Sequence, residues 1–363
     1  MNIIDSTKAF ETWLRKQLKD ELVEKDLGEK YDRMCENPFP FLRATYYRWA
    51  ETILTECPEL AQAPKVVAVG DIHLENFGIW RDEEGRLIWG VNDFDEAAKM
   101  PYALDLVRLG VSAVFACAHI RSMWNMCDDI LTGYECGLRT PVPIVLDDEN
   151  VWLRDLTVAS DKDRADFWQK MEKLINKKKK GEEPPPGFVK TLTAAMPEPK
   201  LKPEFGPRRA GLGSLGRPRW IARAEWRGGS IVREAKSVLP SAWTRVNGRK
   251  PQPLYGGMIA KAPYRAADPR YALAGKIVVR RLSPNSKKLE ADKHPKNLAD
   301  SRLLQLMGRD LAAVHLGLGD HADAILKDIK SRKRNWLHSA VDRMAELVRT
   351  EQEQWKEYRK AHR

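Results

Sequence analysis

The stretch from Val66 to Asn76 constrains this chain more than any other. Val66, Val67 and Val69 are β-branched and read as a buried strand. Gly70 ends the run, and Asp71, His73, Glu75 and Asn76 then crowd into six positions. A second short strand, Arg86–Asn92, follows the turn "RDEEG" and runs into Asp93 and Asp95. Two strand ends thus present carboxylate and amide oxygens. Oxygen ligands from two loops suit a divalent cation such as Mg²⁺ on substrate phosphates, while a further carboxylate takes the proton of an attacking hydroxyl. The plainer alternative is a pair of Asx turns closing the strands, common for any single Asp.

A second constellation is "AGLGSLGRPRW" at 210–220, with Gly211, Gly213 and Gly216 in G-x-G-x-x-G spacing. Glycine lets a backbone close over phosphates because no Cβ blocks the approach. A flexible turn would use the same residues. A dinucleotide-binding turn leads from a strand into a helix. Here "RWIARAEW", a strand, follows, which is the setting of a hairpin lid over phosphates.

The rest of the chain frames these two sites. Residues 5–35, 42–56, 104–117, 121–138, 301–319 and 322–361 read as helices from their apolar spacing. "RWIARAEW", "SIVREAKSV" and "KIVVRRL" read as strands, the first two joined across Arg227-Gly228-Gly229. The fold class expected is α+β, in four parts. Residues 1–176 form a helical catalytic part, 177–205 a linker, 206–284 a strand-rich part, and 285–363 helices returning to the first. Charge divides likewise: residues 1–150 carry a net −11 and residues 151–363 a net +22. That asymmetry could oppose metal-binding carboxylates to a phosphate-binding lobe, or reflect lysines and arginines solvating surface helices.

Five cysteines without a Cys-x-x-Cys pair argue for reduced thiols. The longest apolar stretch, 109–120, is too short to span a bilayer. Residues 1–25 read as a charged amphipathic helix without the apolar centre of a signal peptide. A cytoplasmic location without membrane contact is therefore expected.

"GDIHLENFG", "VNDFDEA" and "PYALDLVRLGVS" together resemble the catalytic segment of aminoglycoside-phosphotransferase-like kinases. They resemble more closely still an uncharacterised bacterial group, the domain of unknown function 2252 family. There "NPFPFLRA", "GLGSLG", "REA…S" and "LAAVHLGLGD" also have counterparts. The resemblance implies a protein-kinase-like two-lobe fold. In a kinase the glycine loop, lysine strand and hinge precede the catalytic loop, whereas here they follow it. A circular permutation is the inference.

Roles follow from the resemblance. Asp71 would be the catalytic base, and Asn76 and Asp93 would hold Mg²⁺. Asp95 would make a second metal or substrate contact. His73 would pack beneath the loop or share in the chemistry, and Asp105 would brace the loop from the next helix. Gly211, Gly213, Ser214 and Gly216 would cover the phosphates of ATP. The position of the kinase lysine falls on Arg233, with Lys236 three residues on and on the opposite face of a regular strand. Arg233 is thus the expected phosphate contact, although arginine and lysine are not interchangeable there. Its usual glutamate partner is missing, and Glu234 could serve only if the strand were distorted.

The expected activity is transfer from ATP to a small-molecule acceptor, with nucleotidyl transfer as a variant. A catalytically dead kinase fold acting as a binding module competes with it. Gly70-Asp71-Ile72-His73 also resembles the opening of a metallophosphoesterase, whose further Gly-Asp-x-x-Asp and Gly-Asn-His blocks are missing. The basic half, with Lys177–Lys180, would suit nucleic acid, but no named motif accompanies it.

Overall fold

A computed structural model describes residues 1–176, 182–248 and 250–362. The chain is a mixed α+β protein with three separate antiparallel sheets. β1 (Lys65–Ala68) pairs with β4 (Ala98–Pro101). β2 (Phe77–Arg81) pairs with β3 (Leu87–Val91), which also pairs with β5 (Ile144–Val145). The largest sheet has five strands in the order β6-β7-β8-β10-β9. Its members are β6 (Glu204–Pro207), β7 (Arg219–Trp226), β8 (Gly229–Ser237), β9 (Ala272–Ala274) and β10 (Ile277–Leu282).

Helix Ala103–Cys117 is buried around nearly its whole circumference and forms the axis of the main core. Helices Met123–Arg139, Ser301–Leu316 and Trp336–Ala361 surround it. Met123–Arg139 and Ser301–Leu316 cross almost backbone to backbone. A Cβ on Gly133 would meet the Gln305 oxygen at 1.9 Å, and one on Gly308 the Ile130 oxygen at 2.1 Å. Larger residues there would part the two helices and shift His315, which reaches the site.

Several long helical stretches are interrupted. Residues 5–35 divide into Ile3–Leu18 and Glu24–Met34, with Lys19 at φ 49° between them. Residues 42–56 divide at Thr45. Pro38–Ala44 starts earlier than expected because Asn37 caps it, its side chain accepting from Phe39 N at 3.0 Å. Residues 322–361 break at Arg332, whose ψ of 156° is extended.

The expected domain limits move. Helix Asp161–Asn176, assigned to the catalytic part, packs Met171 against Ile221 and Val232 of the five-stranded sheet. Of the expected linker, residues 177–181, with Lys177–Lys180, lie outside the described residues. Beyond them, helix Pro186–Ala194 packs Phe188 and Leu192 on the sheet's other face, against Trp220, Ala222 and Ala235. Both helices are layers of the strand-rich part because strand alternation gives the sheet two apolar faces to cover. Among the described residues no helix is long and apolar enough to cross a membrane.

Candidate active site

Strand β1 ends at a backbone held from behind. Asp105, 1% exposed, accepts from Val69 N at 2.7 Å and from Gly70 N at 2.9 Å. Its Oδ2 also meets His315 Nε2 at 3.1 Å, and His315 Nδ1 meets the Tyr134 hydroxyl at 2.7 Å. This buried chain sets the direction in which Asp71 leaves the strand. Asp105→Ala should lower stability by about 3 kcal/mol, since it strands two buried N–H groups. Chemical denaturation measures it; a loss under 1 kcal/mol would leave Asp105 no bracing role.

Asp71 then faces a cleft of about 310 Å³. Arg108, fully buried, donates to Asp71 Oδ1 from Nε at 3.1 Å and from Nη2 at 2.5 Å. Burial pushes the Asp71 carboxyl up to about 6 against the pull of Arg108. His73 is buried beneath the loop, where its Nδ1 accepts from Glu75 N at 3.2 Å. Burial, with Arg43 nearby, keeps its imidazole well below the usual range, hence neutral. Glu75 is held by Arg43 at 2.5 Å.

Asn76 and Asp93 lie together. Asn76 Nδ2 donates to the backbone oxygens of Asp71 at 3.2 Å and Asp93 at 3.1 Å. Those two bonds fix the amide's orientation, and its buried Oδ1 has no partner among the described residues. Lys236 supplies the counter-charge from β8, with Nζ 2.8 Å from Asp93 Oδ1 and 2.7 Å from Asp95 Oδ1. Burial opposes ionisation of both acids. Lys236 and Arg280 outweigh it at Asp93 and hold that carboxyl well below its ordinary range. At Asp95 burial prevails, helped by the charge on Asp93, and its carboxyl is raised.

The glycine loop closes the cleft from the side of the large sheet. Gly211 and Gly216 have φ of 77° and 92°, which side-chain-bearing residues rarely adopt. A Cβ on Gly213 would lie 2.9 Å from the Arg43 oxygen and 3.1 Å from Asp71 Oδ2. The loop therefore approaches the catalytic candidate as only glycine allows. Ser214 Oγ accepts from Arg219 Nη2 at 2.9 Å, and Gly216 O accepts from Val23 N at 2.9 Å.

β8 is a regular strand, so alternate side chains take opposite faces. Lys236 and Glu234 share the cleft face with their cross-strand partners Arg219 and Arg280. Arg233, the expected phosphate contact, is on the other face, its Nε donating to Ala195 O at 3.1 Å. Of the two, Lys236 is the one turned toward the acids that line the cleft. Glu234 needs no distortion to face inward, but it is not the partner of Lys236. Fully buried, it pairs with Arg208 at 2.8 Å, Arg219 at 3.1 Å and Arg280 at 2.8 Å. Arg208, Arg219 and Arg280 line the cleft. None of these arginines was singled out from sequence, nor was Arg108. Strand parity with Lys236 marks Arg219 and Arg280, and the one-turn spacing of Asp105 and Arg108 marks the latter.

A second cavity of about 260 Å³ adjoins the cleft through Arg208, Arg280 and Lys288. Ile79, Phe94, Tyr271 and Leu282 give it apolar walls. Among the described residues no three His, Cys, Asp or Glu side chains are grouped to hold a metal.

The model of a family described as an uncharacterized protein conserved in bacteria (DUF2252) matches residues 22–184. Over that segment the chain is similar to the DUF2252 family. The DUF2252 match includes Asp71, Asn76, Asp93, Asp105 and Arg108, and ends before the glycine loop and Lys236. No curated protein and no solved structure matches the chain.

Proposed function

We propose that this cleft transfers a phosphoryl group from ATP to a hydroxyl of a small molecule, on a circularly permuted kinase-like fold. The observation that carries the reading is the meeting of Lys236 with Asp93 and Asp95, opposite Asp71. Glycine loop and acidic loops come from distant parts of the chain, yet Gly213, Ser214, Asp71, Asp93 and Asp95 line one cavity, and Lys236 joins them through its bonds to Asp93 and Asp95. The acid that a kinase lysine needs comes here from Asp93 and Asp95.

The donor set also fits Mg²⁺. Asn76 Oδ1 is a buried oxygen without a partner among the described residues, and Asp93, an ionised carboxylate, lines the same cleft. Two protein oxygens are enough, since Mg²⁺ on a nucleotide fills its remaining positions with phosphate oxygens and water. Bound there, Mg²⁺ would neutralise charge on the phosphates and orient them. The apolar second cavity would take the base, and Arg208, Arg219 and Arg280 would receive the phosphates. Asp71 would accept the proton of the acceptor hydroxyl as its oxygen bonds to the γ-phosphorus. The bond from that phosphorus to the β–γ bridging oxygen breaks, and ADP leaves.

Thermal shift with ATP, ADP and AMP, each with and without Mg²⁺, tests the reading. Mg²⁺-dependent stabilisation that grows with phosphate number is expected; none with any nucleotide would overturn it. Asp93→Asn should then weaken Mg²⁺-dependent nucleotide binding by about 100-fold, as a charged oxygen ligand is lost and Lys236 loses a partner. Titration calorimetry reads this directly, and unchanged affinity would remove Asp93 from the metal site.

A further inference from the structure

A buried ion pair closes on the strand end that carries Asp93. Asp310 comes from helix Ser301–Leu316, and Arg265 from the loop before β9. Arg265 Nη1 lies 2.9 Å from Asp310 Oδ1 and 2.8 Å from Oδ2, and each side chain is 3% exposed. Gly90 of β3 makes room for the acid, since a Cβ there would lie 2.6 Å from both carboxylate oxygens.

The pair grips one residue by both of its backbone groups. Val91 N donates to Asp310 Oδ2 at 2.7 Å, and Val91 O accepts from Arg265 Nη2. The next residue, Asn92, donates from its backbone N to Asn76 O at 3.1 Å. Asp93 follows directly. The pair thus holds the backbone of Asp93, and through Asn92 that of Asn76, where the cation would sit. Burying two opposite charges adds little stability by itself, because desolvation offsets their attraction. What this pair adds is a fixed peptide next to the metal-binding residues.

Arg265 also lines the second cavity, the one assigned to the base. Its Cζ is 5.1 Å from the centre of the Trp80 ring and 5.4 Å from that of Phe94. Both rings line the same cavity, and Phe94 stands between Asp93 and Asp95 in the chain. A base entering there packs against the guanidinium and against the acidic loop at once.

We infer that Arg265, held by Asp310, is a positioning residue through which the nucleobase and Mg²⁺ bind cooperatively. The base rests on Arg265 and Phe94 and holds residues 91–95 where Asp93 and Asn76 meet the cation. Groups that orient metal ligands govern metal affinity by about 10–100-fold without touching the ion. The coupling is reciprocal, so Mg²⁺ tightens the hold on the base by the same factor. This deepens the nucleotide reading above and rests on it.

The test is a Mg²⁺ titration followed by thermal shift, in a fixed excess of ATP or of inorganic triphosphate, which has no base. Wild type is compared with Arg265→Lys and Asp310→Asn. Lysine keeps a charge beside Asp310, but its single nitrogen cannot reproduce the fork that spans Asp310 and Val91 O. Asparagine keeps an acceptor for Val91 N while losing the charge that holds Arg265. The quantity read is the Mg²⁺ midpoint of the variant over that of wild type, so chelation by the ligand itself cancels. With ATP the ratio should be about 10, and with triphosphate about 2 or less. Equal ratios with the two ligands would reduce the pair to a structural clamp and overturn the inference. So would a ratio near 1 with ATP. Should Arg265→Lys fail to fold, Asp310→Asn decides by the same ratios. Failure of the nucleotide reading looks different: neither ligand with Mg²⁺ stabilises the wild type, and the inference falls with it.

Discussion

Lys236→Met should reduce Mg²⁺-dependent nucleotide affinity by about 100-fold and abolish transfer. The ammonium it removes is bonded to both Asp93 and Asp95. A charge-assisted contact to phosphate is worth about 2–3 kcal/mol, which sets the size of the binding effect. Stability should fall as well, by about 1–2 kcal/mol near neutral pH, since the Asp95 side chain, 10% exposed, loses its counter-ion, whereas Asp93, 37% exposed, is screened by solvent. The sign of the pH dependence follows. Without Lys236 both carboxyls bind protons more readily in the folded state than they do in the wild type. Relative to the wild type the variant then gains as pH falls, and its deficit should shrink toward pH 5. Arg233→Ala provides the contrast. It breaks a bond to the Ala195 oxygen on the far face of the sheet. A loss of about 1 kcal/mol in stability with unchanged nucleotide affinity is expected. Calorimetry and denaturation of the two variants decide between them; greater loss of affinity in Arg233→Ala would remove Lys236 from the phosphate site.

Asp71→Asn should lower kcat by about 10²–10⁴-fold while leaving Mg²⁺-nucleotide affinity within a few-fold of wild type. The amide keeps the shape of the carboxyl and can still accept from Arg108, but it cannot take a proton. The wild-type rate should fall as pH drops through about 6, where the Asp71 carboxyl becomes protonated. Arg108→Gln should move that fall to higher pH, because the guanidinium is what favours the ionised form. Single-turnover rates across pH 5–8 test both statements. A flat profile, or full activity in Asp71→Asn, would give the base to another group.

The parts of the site that sequence revealed are those packed into short motifs. Gly70-Asp71 and Asn76 belong to one strand end, and Asp93 and Asp95 to another. A local turn can hold each set without help from the rest of the fold. Asp105 was expected as a brace only through the family resemblance, and it is bonded to Val69 N and Gly70 N. Helix limits were less so: apolar spacing continues across Lys19, Thr45 and Arg332, where the backbone turns.

The sequence by itself determined that this is an α+β protein with two acidic strand ends and a glycine loop, because period, β-branching and glycine spacing act over a few residues. Only the tertiary structure decided which basic residue faces the acids. A strand alternates its side chains, so the choice between Arg233 and Lys236 depends on which face of β8 meets the cleft. That is set by what covers the other face, helix Pro186–Ala194, whose burial of Phe188 and Leu192 against the sheet turns Arg233 away and Lys236 toward Asp93. The arginines around Glu234 were hidden for the same reason: charge balance is a property of space, and their shared partner lies on another strand.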